Sequence, residues 1–179
     1  MSRLFGDIRQ IAFVVASIDE SMHYWSETLG VGPFFVQRLL TLQGFRYHGK
    51  PQASPTISIA LAQSGALQIE LIQQHDDLTS LYHDYLMRGR TGLQHVCSWV
   101  TCMQFDRLTR ELLAAGRRLA QEGTIPCSGV RLAYFTTERG PGTLMFEVSD
   151  LADARHERQV RRVTEAALAW DGTDPIRDL

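Results

Sequence analysis

Gly92-Leu93-Gln94-His95-Val96-Cys97-Ser98-Trp99-Val100 sets one histidine at the mouth of an apolar strand. The turn signal Arg90-Thr91-Gly92 precedes it, and a helical pattern follows over 104–115. Near the start, Ile8-Arg9-Gln10-Ile11-Ala12-Phe13-Val14-Val15 has the same form, followed by a helical pattern over 18–29. Laying Gln10 on His95 puts Ile11 on Val96 and Val15 on Val100, so the chain reads as one strand-helix unit written twice.

Outward from the first copy, Ser17 or Asp19 can cap the helix, Ile18, Met22, Trp25 and Leu29 recur at helical spacing, and Gly30 closes it. Gly32-Pro33 turns the chain into a strand over 34–40. Residues 43–55 carry Gly44, Gly49, Pro51 and Pro55, which predicts a long loop. Its Phe45, Arg46, Tyr47, His48 and Lys50 can either cover an anionic or planar ligand or simply face water. Strands over 56–61 and 67–73 flank the hairpin signal Gln63-Ser64-Gly65-Ala66. Residues 76–89 hold a short helical pattern with Leu78, Leu81, Tyr82, Tyr85 and Leu86 on one side. They are read as a connector in which His75 and His83 are surface residues.

The second copy repeats the order, with a strand over 94–100, a helix over 104–115 and strands over 118–122, 130–136 and 143–148, the last two separated by a turn at Arg139-Gly140-Pro141-Gly142. After Asp150, Val160, Val163, Ala167 and Trp170 predict an amphipathic helix packed on the body or on a second subunit, with His156 on its wet face. The expected fold class is α+β: two paired βαβββ modules forming a curved, barrel-like mixed sheet, plus a C-terminal helix. One domain spans 1–150, with module one at 7–75, a connector at 76–91 and module two at 92–150; a helical tail follows at 151–179.

A chain of 179 residues that is 44% hydrophobic can bury a core without staples. A net charge of −2 offers no basic face for nucleic acid. Three irregularly spaced cysteines, Cys97, Cys102 and Cys127, suit a reducing cytoplasm. No run of about 18 apolar residues suggests a membrane span.

Four polar residues interrupt otherwise buried strands: Gln10 and His95 in the two first strands, Glu70 and Glu147 in the two last. A carboxylate between Ile69 and Leu71, or between Phe146 and Val148, can face solvent or can point inward and need a partner. If each module curls into a half-barrel and the halves face each other, the four converge. Three oxygen donors and one imidazole suit a divalent ion such as Zn, Mn, Co, Ni or Mg, with positions open for water or substrate.

The chain resembles the glyoxalase / bleomycin-resistance / extradiol-dioxygenase superfamily, the vicinal oxygen chelate (VOC) fold. The resemblance covers roughly 7–150 and is carried by Ile8 to Val15, Leu29-Gly30-Val31-Gly32-Pro33, Gln68-Ile69-Glu70-Leu71-Ile72, Gln94-His95-Val96 and Phe146-Glu147-Val148. The methylmalonyl-CoA epimerase-like and glyoxalase-like branches look most similar. The resemblance implies metal positions at Gln10, Glu70, His95 and Glu147, with Glu147 or Glu70 as general base. It departs from the epimerases and dioxygenases at Gln10, where they usually carry His. Fe(II) dioxygenases need two histidines, and only His95 is present in this set.

The expected activity is therefore that of a divalent-metal-dependent isomerase, epimerase or glyoxalase-type lyase, moving a proton beside a metal-bound carbonyl. A binding or resistance protein without catalysis, or a dioxygenase, is the alternative. The expected partner is a small molecule, such as a thioester or a 2-oxo or 2-hydroxy carbonyl compound, in a cytoplasmic homodimer without nucleic acid or membrane contact. Residues 45–50, Arg131 and Arg139 are the expected holders of a ligand phosphate or carboxylate.

Overall fold

The structure is a computed structural model. It describes Leu4, residues 6–137 and residues 144–179, with nothing said of the Arg155 side chain. The turn expected at Arg139 to Gly142, the start of the strand expected at 143, and Arg139 as an anion holder lie outside the described residues.

Among the described residues, eleven strands and four α-helices follow one another as β1 Ile8–Val14, α1 Ile18–His23, β2 Phe34–Leu40, β3 Gln43–Tyr47, β4 Lys50–Pro51, β5 Ile57–Ser64, β6 Leu67–Gln74, α2 Leu81–Met87, β7 Gly92–Trp99, α3 Cys102–Ala114, β8 Leu119–Thr124, β9 Arg131–Thr136, β10 Met145–Ser149, α4 Glu157–Leu168 and β11 Ile176–Asp178. Ser17 caps α1 by accepting the Glu20 N–H, and the expected helix to Leu29 continues past His23 as a wider turn over Tyr24–Thr28. Thr101 and Gln104 form a capping box on α3, so the helix starts two residues before its expected position.

All strands join one curved, unclosed mixed sheet ordered β11-β2-β5-β6-β1-β7-β10-β9-β8-β3-β4. The order β2-β5-β6-β1 on one side is mirrored by β8-β9-β10-β7 on the other, the seam being antiparallel β1 and β7. The repeat inferred from Gln10 and His95 is visible in the registers. Gln10 faces Cys97 and Ala12 faces His95 across the seam; Glu70 faces Ala12, and Glu147 faces Cys97, in the flanking parallel pairs. Exchanging the halves therefore carries Gln10 onto His95 and Glu70 onto Glu147.

Strand alternation decides which residues meet. Ile69 and Leu71 of β6 pack with Ile18 and Met22 of α1, and Phe146 and Val148 of β10 pack with Phe105, Leu108 and Leu112 of α3. These helices cover the convex face. The residues between, Glu70 and Glu147, must then point to the concave face, where Ala12, Ile72, Tyr134 and Met145 form a third cluster with Tyr82 of α2.

Two expectations are corrected. Residues 43–55 are not a long loop: β3 and β4 form a hairpin on the outer edge of β8, turned by His48 and Gly49, both at positive φ (47° and 76°). That is the backbone handedness a two-residue hairpin turn needs, supplied by His-Gly in place of the usual Asn-Gly signal. Phe45 and Tyr47 are buried in the core and Arg46 bonds to Gly49 O and Glu122, so they do not cover a ligand. The tail, in turn, packs on the body. Val163 of α4 is fully buried, Arg162 lies 4.7 Å over Phe35, Trp170 closes on Gly32, and β11 adds to β2. His156, expected on the wet face, is buried. No helix among the described residues is long and apolar enough to cross a membrane.

Candidate metal centre

The concave face brings three of the four singled-out side chains into direct contact. His95 Nε2 lies 2.9 Å from Glu147 Oε2 and 3.4 Å from Glu70 Oε2, and all three residues are buried. Gln10 lies on the same face and lines the same cavity as Glu70 and Glu147, its side-chain N–H donating to Gln68 Oε1 at 2.9 Å. With its N–H so engaged, the carbonyl oxygen is the Gln10 atom that could serve as a ligand.

The imidazole is oriented from behind. Nδ1–H donates to Gln94 Oε1 at 2.6 Å, which leaves Nε2 directed at the carboxylates. Nε2 is fully buried and makes no hydrogen bond of its own despite its two close oxygens. The Tyr134 ring stands edge-on to the imidazole at 4.9 Å and fixes its plane.

The donor set fits a divalent ion. Atoms about 2.0–2.2 Å from a common ion lie about 2.8–3.6 Å apart in octahedral or tetrahedral shells, a range that holds the His–Glu spacings of 2.9 and 3.4 Å. One ligand atom from each of Glu70, His95 and Glu147 lies within 4.8 Å of the others. Two buried carboxylates without a positive charge between them would repel, and an ion removes that cost. Without an ion, the proton must do so: burial disfavours the imidazolium, but Glu147 and Glu70 outweigh it and push the His95 pKa up to about 9. The Glu70 carboxyl is itself raised, by burial first; the facing His95 imidazole opposes the rise and the charge of Glu147 adds to it.

Above this floor sits a cavity of about 950 Å³. Ile57, Ile59, Leu61, Ile72 and Leu132 give it apolar walls, and Tyr82 and Tyr134 line it as well. Their hydroxyls share one hydrogen bond of 2.8 Å, and burial raises both phenols, so they stay protonated. Two O–H groups sharing one bond leave a second proton for another acceptor. Sequence reading placed Tyr82 only on the connector and passed over Tyr134, although Tyr134 faces Glu147 directly in the β9–β10 register.

Arg131, the other expected anion holder, is committed elsewhere. It donates to Asp150 at 2.9 Å, Asp106 at 2.6 Å and Cys102 O at 3.2 Å, and belongs to the structure.

Comparison with known proteins bears on the family and the fold. The family model for the Glyoxalase/Bleomycin resistance protein/Dioxygenase superfamily matches residues 9–135. No curated protein matches the chain by sequence. Among solved structures, methylmalonyl-CoA epimerase from Mycobacterium tuberculosis is similar at 20% identity and TM-score 0.58, covering 84% of this chain and 91% of that one. A hypothetical protein from Bacillus halodurans C-125 is similar at 16% identity and TM-score 0.58, covering 80% and 93%. Streptomyces coelicolor methylmalonyl-CoA epimerase, solved in complex with 2-nitronate-propionyl-CoA, is similar at 16% identity and TM-score 0.54, covering 82% and 94%. At these identities the likeness is one of fold. With the family model covering most of the chain, the chain belongs to the Glyoxalase/Bleomycin resistance protein/Dioxygenase superfamily.

Proposed function

We propose that the chain is a divalent-metal-dependent enzyme that moves a proton at the carbon beside a carbonyl group, as an epimerase, isomerase or glyoxalase-type lyase. The observation that carries this reading is the pair of buried carboxylates flanking one imidazole nitrogen on the floor of a large cavity. Gln10, Glu70, His95 and Glu147 would hold the ion, which, when bound, supplies Lewis acidity for negative charge on the substrate oxygen.

The chain's own groups do the rest. Glu147 takes the α-proton and can return it to the same carbon, and Glu70, when it carries a proton of its own, is the second carboxylate able to deliver one. Burial holds the Glu70 carboxyl above the usual carboxylate range, the direction that a proton carrier needs. Apolar walls keep water from competing for the carbanion-like carbon, and the spare hydroxyl proton of the Tyr82–Tyr134 pair is available to a ligand oxygen.

The proposed substrate is a thioester or a 2-oxo or 2-hydroxy carbonyl compound. The proposed setting is the cytoplasm, supported by three cysteines without a disulfide, and the proposed assembly is the homodimer implied by the family resemblance. A single histidine in the cluster speaks against Fe(II) oxygen chemistry. The apolar walls favour one second reading, a binding or resistance protein that uses the cavity without catalysis. Incubating metal-loaded protein with candidate 2-hydroxy and 2-methyl carbonyl compounds in D₂O separates the two. Deuterium uptake at the α-carbon supports proton transfer, and binding without uptake across the panel supports the second reading.

A further inference from the structure

Helix α4 lies beyond residues 9–135, where the family model matches, yet it forms the roof of the cavity. It follows β10 and packs across β5, whose Leu61 is the cross-strand neighbour of Glu70. The cavity is thus bounded by groups of opposite character. The floor carries Gln10, Glu70 and Glu147, whereas the roof carries Arg158, Arg161 and Arg162 against a single acid, Glu157.

These arginines are spaced i, i+3 and i+4, so they share one helical face and repel one another unless neutralised. Two have partners. Arg161 pairs with Glu157, and Arg162 donates to Asp178 O at 3.0 Å while stacking on Phe35. Arg158 lines the cavity with neither a hydrogen bond nor an ion pair to any described residue. Arg131 and Arg46 are held by structural contacts away from the cavity lining, so Arg158 is the lining guanidinium that has no partner among the described residues.

We infer that α4 is part of the ligand site and that Arg158 binds an oxyanion, a carboxylate or a phosphate, at the end of the ligand remote from the Glu70–His95–Glu147 floor. This rests on the proposed function for where the carbonyl end sits. The ligand class is then a carbonyl compound with an apolar middle against Ile57, Ile59 and Leu132 and an anionic far end against the roof. A guanidinium fork matches either oxyanion with two parallel hydrogen bonds, which an ammonium cannot. As the site is open to solvent, its contribution weakens as salt rises.

The test uses the full chain, Mn²⁺-loaded and chelator-treated, titrated calorimetrically with 2-oxohexanoate, 2-oxoadipate and 2-oxo-5-phosphonopentanoate. The first two share a six-carbon skeleton and differ by a terminal carboxylate; the third separates phosphate from carboxylate recognition. Wild type is expected to prefer one of the anion-ended probes over 2-oxohexanoate by about tenfold or more. In Arg158→Gln this affinity ratio should fall below about threefold, and Arg158→Lys should restore part of it. Either no preference in the wild type or an unchanged ratio in Arg158→Gln overturns the inference. A preference that depends on Arg158 in both preparations, with no Mn²⁺ retained, would keep the roof site and sink the metal reading instead.

Discussion

The two halves of the sheet place their polar residues at the same backbone positions and fill them differently. The first half offers an amide and a carboxylate, Gln10 and Glu70; the second offers an imidazole and a carboxylate, His95 and Glu147. Each strand residue at the seam is braced by a glutamine, Gln68 behind Gln10 and Gln94 behind His95. Register fixes where a donor stands, and the residue type fixes what it can hold. With the only nitrogen ligand in the second half, that half should dominate ion affinity, while the first half tunes charge and access.

The sharpest break of this comparison is His95→Ala set against Gln10→Ala. Loss of the imidazole should lower Mn²⁺ or Zn²⁺ affinity by more than about 100-fold, beyond what loss of an outer-shell partner costs. Loss of the amide should cost about tenfold, and equilibrium dialysis with metal analysis reads both. Equal losses would show that the halves contribute alike. Next, Glu147→Gln should reduce α-carbon exchange by about 10²–10⁴-fold, the usual worth of a positioned base. Glu70→Gln should reduce it less, and the reverse ranking would move the base to the first half.

A smaller effect is pH-dependent. His95 in the ion-free protein is raised to about 9, above its ordinary value, so its contribution to folding is fully present below pH about 6.5 and is lost as pH rises through about 9. Thermal melts of chelator-treated protein should therefore lose stability over that window, and His95→Gln should flatten this part of the profile. An NMR titration placing His95 at or below about 6.5 would contradict the ion-pair geometry. The least effect belongs to the tail. A Cβ at Gly32 would meet the Trp170 ring at 2.8 Å, so Gly32→Ala should destabilise by about 1–3 kcal/mol without moving ion affinity.

The fold was readable because strand-helix-strand periodicity recurred twice, and because in-strand polar residues fell at equivalent places in both copies. Parity then forced Glu70 and Glu147 inward once Ile69, Leu71, Phe146 and Val148 were claimed by the convex helices. What escaped the sequence depends on pairings distant in the chain. The β3–β4 hairpin hid behind Gly44, Gly49, Pro51 and Pro55, and finds its place only by joining β8. β11 is three residues long and is held by β2. Tyr82 meets Tyr134 across 52 residues, and His156 is buried only because α4 folds back over the cavity. Arg131, expected to hold an anion, is bound by Asp150 and Asp106, whereas Arg158, which no sequence pattern singles out, faces the cavity.

The most direct test of the central claim is anomalous diffraction from crystals of the Mn²⁺- or Co²⁺-loaded protein. One strong peak bonded to Gln10, Glu70, His95 and Glu147 together is the expected result. A loaded crystal with no peak on the concave floor, or with an ion that leaves out His95, would contradict it.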